Sequence, residues 1–295
     1  MYQSFYQLTQ PPFRNTPEQA MFFASEQHQE ALAAAQYAVA QQAGVVLITG
    51  GLGTGKTTVA HTLAQQLGEA VTVVRPTPAL HRGDELLRQV LRAVGVKMSR
   101  HDDRARLVER VTAAAIDLAD RHRPLVVIAD EAQTHGDGVL DELRLLADLD
   151  RDGQRLVQVV LVASLPILAR LDKPRHAALR QRVAMVRTLA ALDPRHTDLY
   201  IKHRLAQASA DAKDVKVSFR GDAVVEVYRY SGGVPRLINT VCDHALLLAM
   251  VKQQTVVTAL LVKVVLSEMS PPTVHVDSDA LDKLAPVAAQ MARSK

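Results

Sequence analysis

Gly50-Gly51-Leu52-Gly53-Thr54-Gly55-Lys56-Thr57 is the stretch on which the reading of this chain turns. It has the spacing G-x-x-x-x-G-K-T, follows the apolar run Val45–Thr49, and precedes a helical pattern marked by Val59, Ala60, Leu63 and Leu67 with Gly68 as its stop. Strand, glycine loop and helix in that order make a cradle for phosphate. Without side chains the loop backbone can curl until successive N–H groups converge on an anion, and the helix N-terminus adds partial positive charge. Lys56 then neutralises the outer phosphates of a nucleoside triphosphate, and Thr57 offers a hydroxyl to Mg²⁺. Nucleotide contacts are expected at Gly50, Gly51, Leu52, Gly53, Thr54, Gly55, Lys56, Thr57 and Thr58. The competing reading is a glycine-rich turn before an ordinary helix, which leaves the strand, the spacing, the Lys and the Thr to coincidence.

Outward from this loop, short β-branched runs alternate with helical patterns. The runs are Val45–Thr49, Val71–Arg75, Leu125–Ala129, Leu156–Val162 and Val183–Thr188. They are nearly continuous in apolar residues, as strands covered by helices on both faces must be. The predicted fold class is therefore α/β, a five-stranded parallel sheet sandwiched by helices. Two apolar stripes at helical spacing lie between the second and third runs: Leu86, Leu87, Val90 and Leu91, then Leu107, Val108, Val111, Ala115 and Leu118. Beyond about Leu192 only helical patterns remain, over 197–208, 222–230, 235–250 and 258–269. The expected organisation is an N-terminal segment and first helix over 1–45, an αβα domain over 46–191, a small all-helical domain over 192–269, and a tail over 270–295. Ser270, Pro271 and Pro272 end the last helix, and the tail carries one weak amphipathic stretch at Leu281, Leu284 and Val287.

Leu125-Val126-Val127-Ile128-Ala129-Asp130-Glu131 is the second chemical motif, an apolar strand ending in two carboxylates. At the C-terminal edge of such a sheet Asp130 is placed to hold Mg²⁺, and Glu131 to accept the proton of an attacking water. Two solvated acids opening a loop is the alternative, and the glycine loop upstream argues against it. An Asp-Glu pair suits water as the nucleophile, whereas a small-molecule kinase must exclude water. ATP and Mg²⁺ are thus the expected cofactors, and hydrolysis the expected reaction.

With 295 residues, 48% of them hydrophobic, the chain can bury a large core or two modest ones. A single cysteine, Cys242, excludes an internal disulfide and any cysteine-cluster metal site, and reads as a small core residue. His28, His81, His101 and His135 are not spaced as a metal set. Met1–Phe13 lacks the basic start and apolar core of a secretory signal, and no apolar stretch reaches the roughly 20 residues of a spanning helix. A cytoplasmic protein without direct membrane insertion is expected. The net charge of +4 names no nucleic-acid partner, although Lys and Arg outnumber Asp and Glu nine to five over 75–110. Arg82, Lys97, Arg100 and Arg104 are the candidate phosphate contacts, with solvated helix faces as the default explanation.

At Asp130-Glu131-Ala132-Gln133, taken with Tyr6-Gln7-Leu8 and Pro12-Phe13, the chain resembles the AAA+ ATPases of the ExeA, or general secretion pathway A, family. Phe22-Phe23-Ala24-Ser25 with His28, Leu179-Arg180-Gln181-Arg182-Val183, Tyr200–Leu205 and Gly233-Val234-Pro235-Arg236-Leu237-Ile238-Asn239 extend the resemblance over roughly residues 1–268. The core is similar as well to transposition regulators of the TnsC and MuB type. The resemblance implies ATP-dependent rings or filaments in which an arginine of one subunit reaches the nucleotide of the next, with Arg182 as candidate and Arg180 as substitute. It makes the α-helical domain a lid, gives Arg236 the role of a γ-phosphate sensor at the start of a lid helix, and offers Pro12-Phe13 and 233–236 as adenine walls.

One departure concerns the end of the fourth strand. The family carries a polar Gly-Gln-Pro-Glu type element there and this chain carries Ala163-Ser164-Leu165-Pro166, so Ser164 replaces a longer catalytic side chain and slow or partner-stimulated turnover is expected. The membrane span and peptidoglycan-binding segment of the secretion members do not follow the ATPase in these residues. The leading expectation is therefore a DNA-associated switch acting with double-stranded DNA and a transposase-like protein; the alternatives are an accessory ATPase of a secretion complex or an ATP-gated scaffold.

Overall fold

The computed structural model describes residues 1–16 and 19–270; the tail stretch at Leu281, Leu284 and Val287 and the Pro271-Pro272 stop lie outside the described residues. The chain divides into two compact units. One holds Glu26–Gly51 and Lys56–Leu189; the other holds Met1–Ser25, Leu52–Gly55 and the residues from Ala190 onward.

In the first unit five parallel strands, β1 (Val45–Gly50), β2 (Thr72–Val74), β3 (Leu125–Ala129), β4 (Val157–Ser164) and β5 (Val183–Leu189), pair in the order β2-β3-β4-β1-β5. Every residue of β1, β3 and β4 is buried, as the unbroken apolar runs require for central strands. The outermost strands differ as edges should: β2 is three residues long, and β5 leaves Ala184, Arg187 and Thr188 exposed. β2 is also shorter at each end than the run 71–75 suggests. Helices cover both faces. α1 (Glu26–Ala40) and α2 (Lys56–Leu67) lie on one; α3 (Gly83–Ala93), α4 (Arg104–Asp120) and α5 (Asp137–Ala147) form the other. Val45 and Leu47 of β1 join the core with Leu86, Leu87, Leu107 and Leu143, while Val46 and Ile48, one position out of phase, are buried toward the opposite face. Two short helices, α6 (Pro166–Leu171) and α7 (Ala177–Arg182), lead from β4 into β5.

The other unit packs α8 (Pro194–Ala208), α9 (Gly221–Ser231), α10 (Pro235–Val251) and α11 (Ala259–Glu268) around Ile201, Leu205, Val227, Ile238, Leu246 and Val262. It is not wholly helical, because Ser218–Phe219 pairs in parallel with Val256–Val257. The first residues of the chain belong to it. Tyr6 donates its hydroxyl hydrogen to Leu246 O and Gln254 O at 3.2 and 3.0 Å, and the buried Arg204 guanidinium donates to Pro12 O and to Arg14 O. Phe13 is buried, with its ring edge-to-face against Phe219. Cys242 is a core residue whose thiol burial pushes up, away from the reactive thiolate.

Candidate functional site

The glycine loop links β1 to α2, with Gly50 ending the strand and Lys56, Thr57 and Thr58 forming the first helical turn. Gly53 and Gly55 take φ values of 77° and 95°, the left-handed region that a side chain resists. At Gly53 the space is closed too: a Cβ would lie 2.9 Å from both Val234 Cγ1 and Arg236 Cβ, residues of its own compact unit, and the Arg236 N–H points to Gly53 O at 3.4 Å. Leu52 at the loop tip is exposed, whereas Thr54 is buried. Lys56 is buried as well, and its ammonium donates to Gly50 O at 3.2 Å and Gly51 O at 2.7 Å. The first turn of α2 contains no acid, so nothing there opposes an anion. A buried ammonium beside left-handed glycines and an acid-free helix start fits a nucleotide's phosphates.

The parallel register places the other motifs at the same edge of the sheet. Ser164, the last residue of β4, is the ladder partner of Gly50, and β3 on the far side of β4 delivers Asp130 and Glu131 just past its final residue. The Asp130 carboxylate accepts the Glu131 N–H at 2.8 Å. Glu131 holds φ 50°, uncommon for a residue with a side chain and a cost of order 1 kcal/mol. The turn that imposes it is braced, since Thr134 donates its hydroxyl to Glu131 O at 2.7 Å.

A residue without an assigned role in the sequence reading completes this arrangement. Gln133 donates its side-chain N–H to the Glu131 carboxylate and accepts the Ser164 N–H on Oε1 at 2.8 Å. Its advance signal was its place two residues after Glu131, in the Asp130-Glu131-Ala132-Gln133 motif that carries the family resemblance. Nearby, His135 is buried and accepts the Leu80 N–H at 3.1 Å, and Arg170 donates to Gln133 O, His135 O and Asp137. Among the described residues no group of three His, Cys, Asp or Glu could by itself hold a metal ion.

The remaining candidates lie elsewhere. Arg182 ends α7 immediately before β5, and Val183 is the register partner of Val45, so Arg182 stands at the N-terminal edge of the sheet and Gly50 and Ser164 at the opposite one. It pairs with Asp148 at 2.6 Å, and Arg180 approaches Asp172 at 3.6 Å. Arg236 is the second residue of α10, next to Gly53. Arg82, Lys97, Arg100 and Arg104 do gather, along one open groove of about 1320 Å³ beside α3 and α4. Asp84, Asp102, Asp103, Asp141 and Glu142 line the same groove, with Arg82 bonded to Asp84 and Arg104 to Glu142. The groove is mixed in charge rather than a basic channel.

Residues 39–171 match the AAA domain family. The chain is 35% identical over 250 residues to general secretion pathway protein A of Aeromonas hydrophila, covering 84% of this chain and 45% of that protein. It thus spans about half the length of this curated relative. Among solved structures it resembles the ORC2 protein of Aeropyrum pernix in its ADP form, with a TM-score of 0.65, 20% identity and coverage of 87% and 72% of the two chains. The RuvB Holliday junction branch migration motor of Thermotoga maritima gives 0.56, 18%, 84% and 70%. At these identities the two structures establish the fold alone: a five-stranded parallel P-loop sheet with helices, followed by a helical region. The curated relative is a secretion protein, and the preference for a transposition regulator drawn from the sequence gains no support beside it. No helix among the described residues is long and apolar enough to cross a membrane.

Proposed function

We propose that this chain, whose residues 39–171 match the AAA domain family, binds ATP with Mg²⁺ at Gly50–Thr58 and hydrolyses it to switch a protein complex of secretion or envelope assembly. The observation that carries the hydrolytic part is the convergence of Lys56, Ser164 and the Asp130-Glu131 pair on one sheet edge. Lys56 exchanges its loop carbonyls for β- and γ-phosphate oxygens. Thr57 and Asp130 would hold Mg²⁺, which would supply positive charge beside the same oxygens. Glu131 takes a proton from water as the water oxygen bonds to the γ-phosphorus and the bond to the bridging oxygen breaks, leaving ADP and phosphate. Ser164 offers a hydroxyl at the strand end beside Gly50, too short to span far, in keeping with slow unassisted turnover.

Arg182 acts on a neighbouring subunit's nucleotide in an ATP-dependent ring or filament. Its position at the far edge of the sheet, about five residues and therefore roughly 17 Å along the strands from Gly50, supports action in trans rather than on its own site. Arg236 beside Gly53 carries the response of the helical unit to the bound nucleotide. For the partner, the similarity to the secretion protein favours a secretion complex over DNA, and the pairing of Arg82 and Arg104 with carboxylates leaves the DNA reading with little to stand on.

Phosphate release by the purified chain and by Glu131→Gln, measured beside ATP binding, tests the first part. Loss of release with binding intact is expected, and equal rates in both would leave only an ATP-gated scaffold. Deleting the gene tests the second: exported protein should fall while transposition frequency stays constant, and the reverse result would restore the DNA-associated alternative.

A further inference from the structure

We infer that Gln133 is a positioning residue that ties the Glu131 carboxylate to the end of β4 at Ser164, an inference that rests on the hydrolytic reading of Glu131. The orientation of the Gln133 amide is not a free choice. A backbone N–H can only donate, so the Ser164 N–H at 2.8 Å must face Oε1. Nε2 therefore faces the other way and donates to Glu131, where a carboxylate can only accept. One planar group, satisfied on both sides, spans the loop after β3 and the last residue of β4.

The main chain under this amide is pinned from below. Arg170 donates to Gln133 O at 3.1 Å and to His135 O at 2.7 Å, and it is itself held by Asp137 at 2.5 Å. Thr134 closes the turn onto Glu131 O, and its hydroxyl accepts the Ala79 N–H at 3.2 Å. With the backbone fixed, the side chains of Gln133 and Glu131 are the parts free to respond. Ser164 in turn is the ladder partner of Gly50, where β1 passes into the glycine loop. Gly50, Ser164, Gln133 and Glu131 therefore form one line of direct neighbours from the phosphate cradle to the catalytic carboxylate.

The consequence is chemical. A general base must present a defined lone pair to water, and a carboxylate free to rotate spends much of its time misaligned. A donor fixed on one carboxylate oxygen leaves the other aimed. Because the donor is anchored at Ser164, displacement of the β4 end by events at the glycine loop moves the carboxylate as well. Gln133 supplies the reach that Ser164 lacks.

The test uses the full chain with Mg²⁺ and ATP, comparing kcat and the ATP dissociation constant for the unmodified protein, Gln133→Ala, Gln133→Glu and Glu131→Gln. Gln133→Glu retains an acceptor for the Ser164 N–H and so keeps the loop anchored, but it turns the group facing Glu131 from donor to acceptor. Both Gln133 variants should lower kcat about tenfold or more while the dissociation constant stays within about twofold. A normal kcat in Gln133→Glu with a loss only in Gln133→Ala would make Gln133 a structural anchor and overturn the inference. An unchanged or raised kcat in both would overturn it too. Full turnover in Glu131→Gln would instead bring down the reading of Glu131, and this inference with it.

Discussion

Arg182 Nε lies 2.6 Å from Asp148 Oδ1, across the sheet from the glycine loop and with half its side chain in solvent. An exposed pair of this kind contributes less than about 1 kcal/mol, so Asp148 can release the guanidinium at small cost. Asp148→Asn should therefore leave ATP hydrolysis within about twofold, whereas Arg182→Ala should lower it by on the order of a hundredfold or more. A mixture of Arg182→Ala and Glu131→Gln chains should hydrolyse ATP faster than either alone, because the first supplies an intact Glu131 and the second an intact Arg182. Failure of the mixture to recover activity would place Arg182 outside the shared site.

Gly233 is held at φ 76°, and its carbonyl accepts the Leu192 N–H at 2.9 Å. A Cβ there would fall well inside contact distance of the Leu192 carbonyl oxygen, a backbone atom that cannot step aside. Gly233→Ala should cost on the order of 2–4 kcal/mol, from left-handed strain and the clash together. Gly153, at φ 79° with nothing near its missing Cβ, isolates the first contribution. Gly153→Ala should cost about 1 kcal/mol. Urea denaturation of the two variants separates these values, and equal losses would contradict the close approach at Leu192.

The sheet was legible because its signals are local. An unbroken apolar run such as Leu125–Ala129 suits a central strand covered on both faces, and G-x-x-x-x-G-K-T after a strand admits few structures. What escaped depends on contacts between distant residues. The Gln133 amide gains its meaning from Ser164, 31 positions later, and no spacing rule joins them. The pair Ser218–Phe219 and Val256–Val257 is two residues deep on each side, too short for any alternation to register. The basic residue Arg104 shows in sequence as charge, while the carboxylate that neutralises it, Glu142, arrives from another helix 38 positions later.

His135 makes the stability of its unit sensitive to acid. Burial pushes its imidazole down, the Arg170 guanidinium pushes the same way, and Asp130 opposes them. Nδ1 accepts the Leu80 N–H, a bond that protonation there would break. The unfolded chain carries an ordinary histidine, which binds its proton near pH 6.5. Below that pH the unfolded state holds more protons than the folded one, so stability is complete above about pH 6.5 and falls as pH drops beneath it. The loss from this residue should reach up to about 1.4 kcal/mol per pH unit. Denaturation at pH 7.5 and 5.5 should show a smaller difference in His135→Asn. Some slope should persist, because burial lowers His61 and His203 in the same direction.

Glu142 is almost wholly buried and receives the Arg104 guanidinium at 3.0 and 3.3 Å, while Arg104 itself stands half in solvent. Two readings of Arg104 predict different failures. As a phosphate contact, its loss would weaken duplex binding and reduce the salt dependence by about one unit of slope. As the partner of a buried carboxylate, its loss strands a charge, and Arg104→Ala should destabilise the unit by about 1–3 kcal/mol, the exposed side of the pair keeping the penalty below that of a fully buried one. Adding Glu142→Gln removes the stranded charge, so the double variant should recover much of that loss. The geometry favours this second outcome, with any duplex binding unchanged in slope. A variant as stable as the parent but weaker on DNA would return the groove to the nucleic-acid reading.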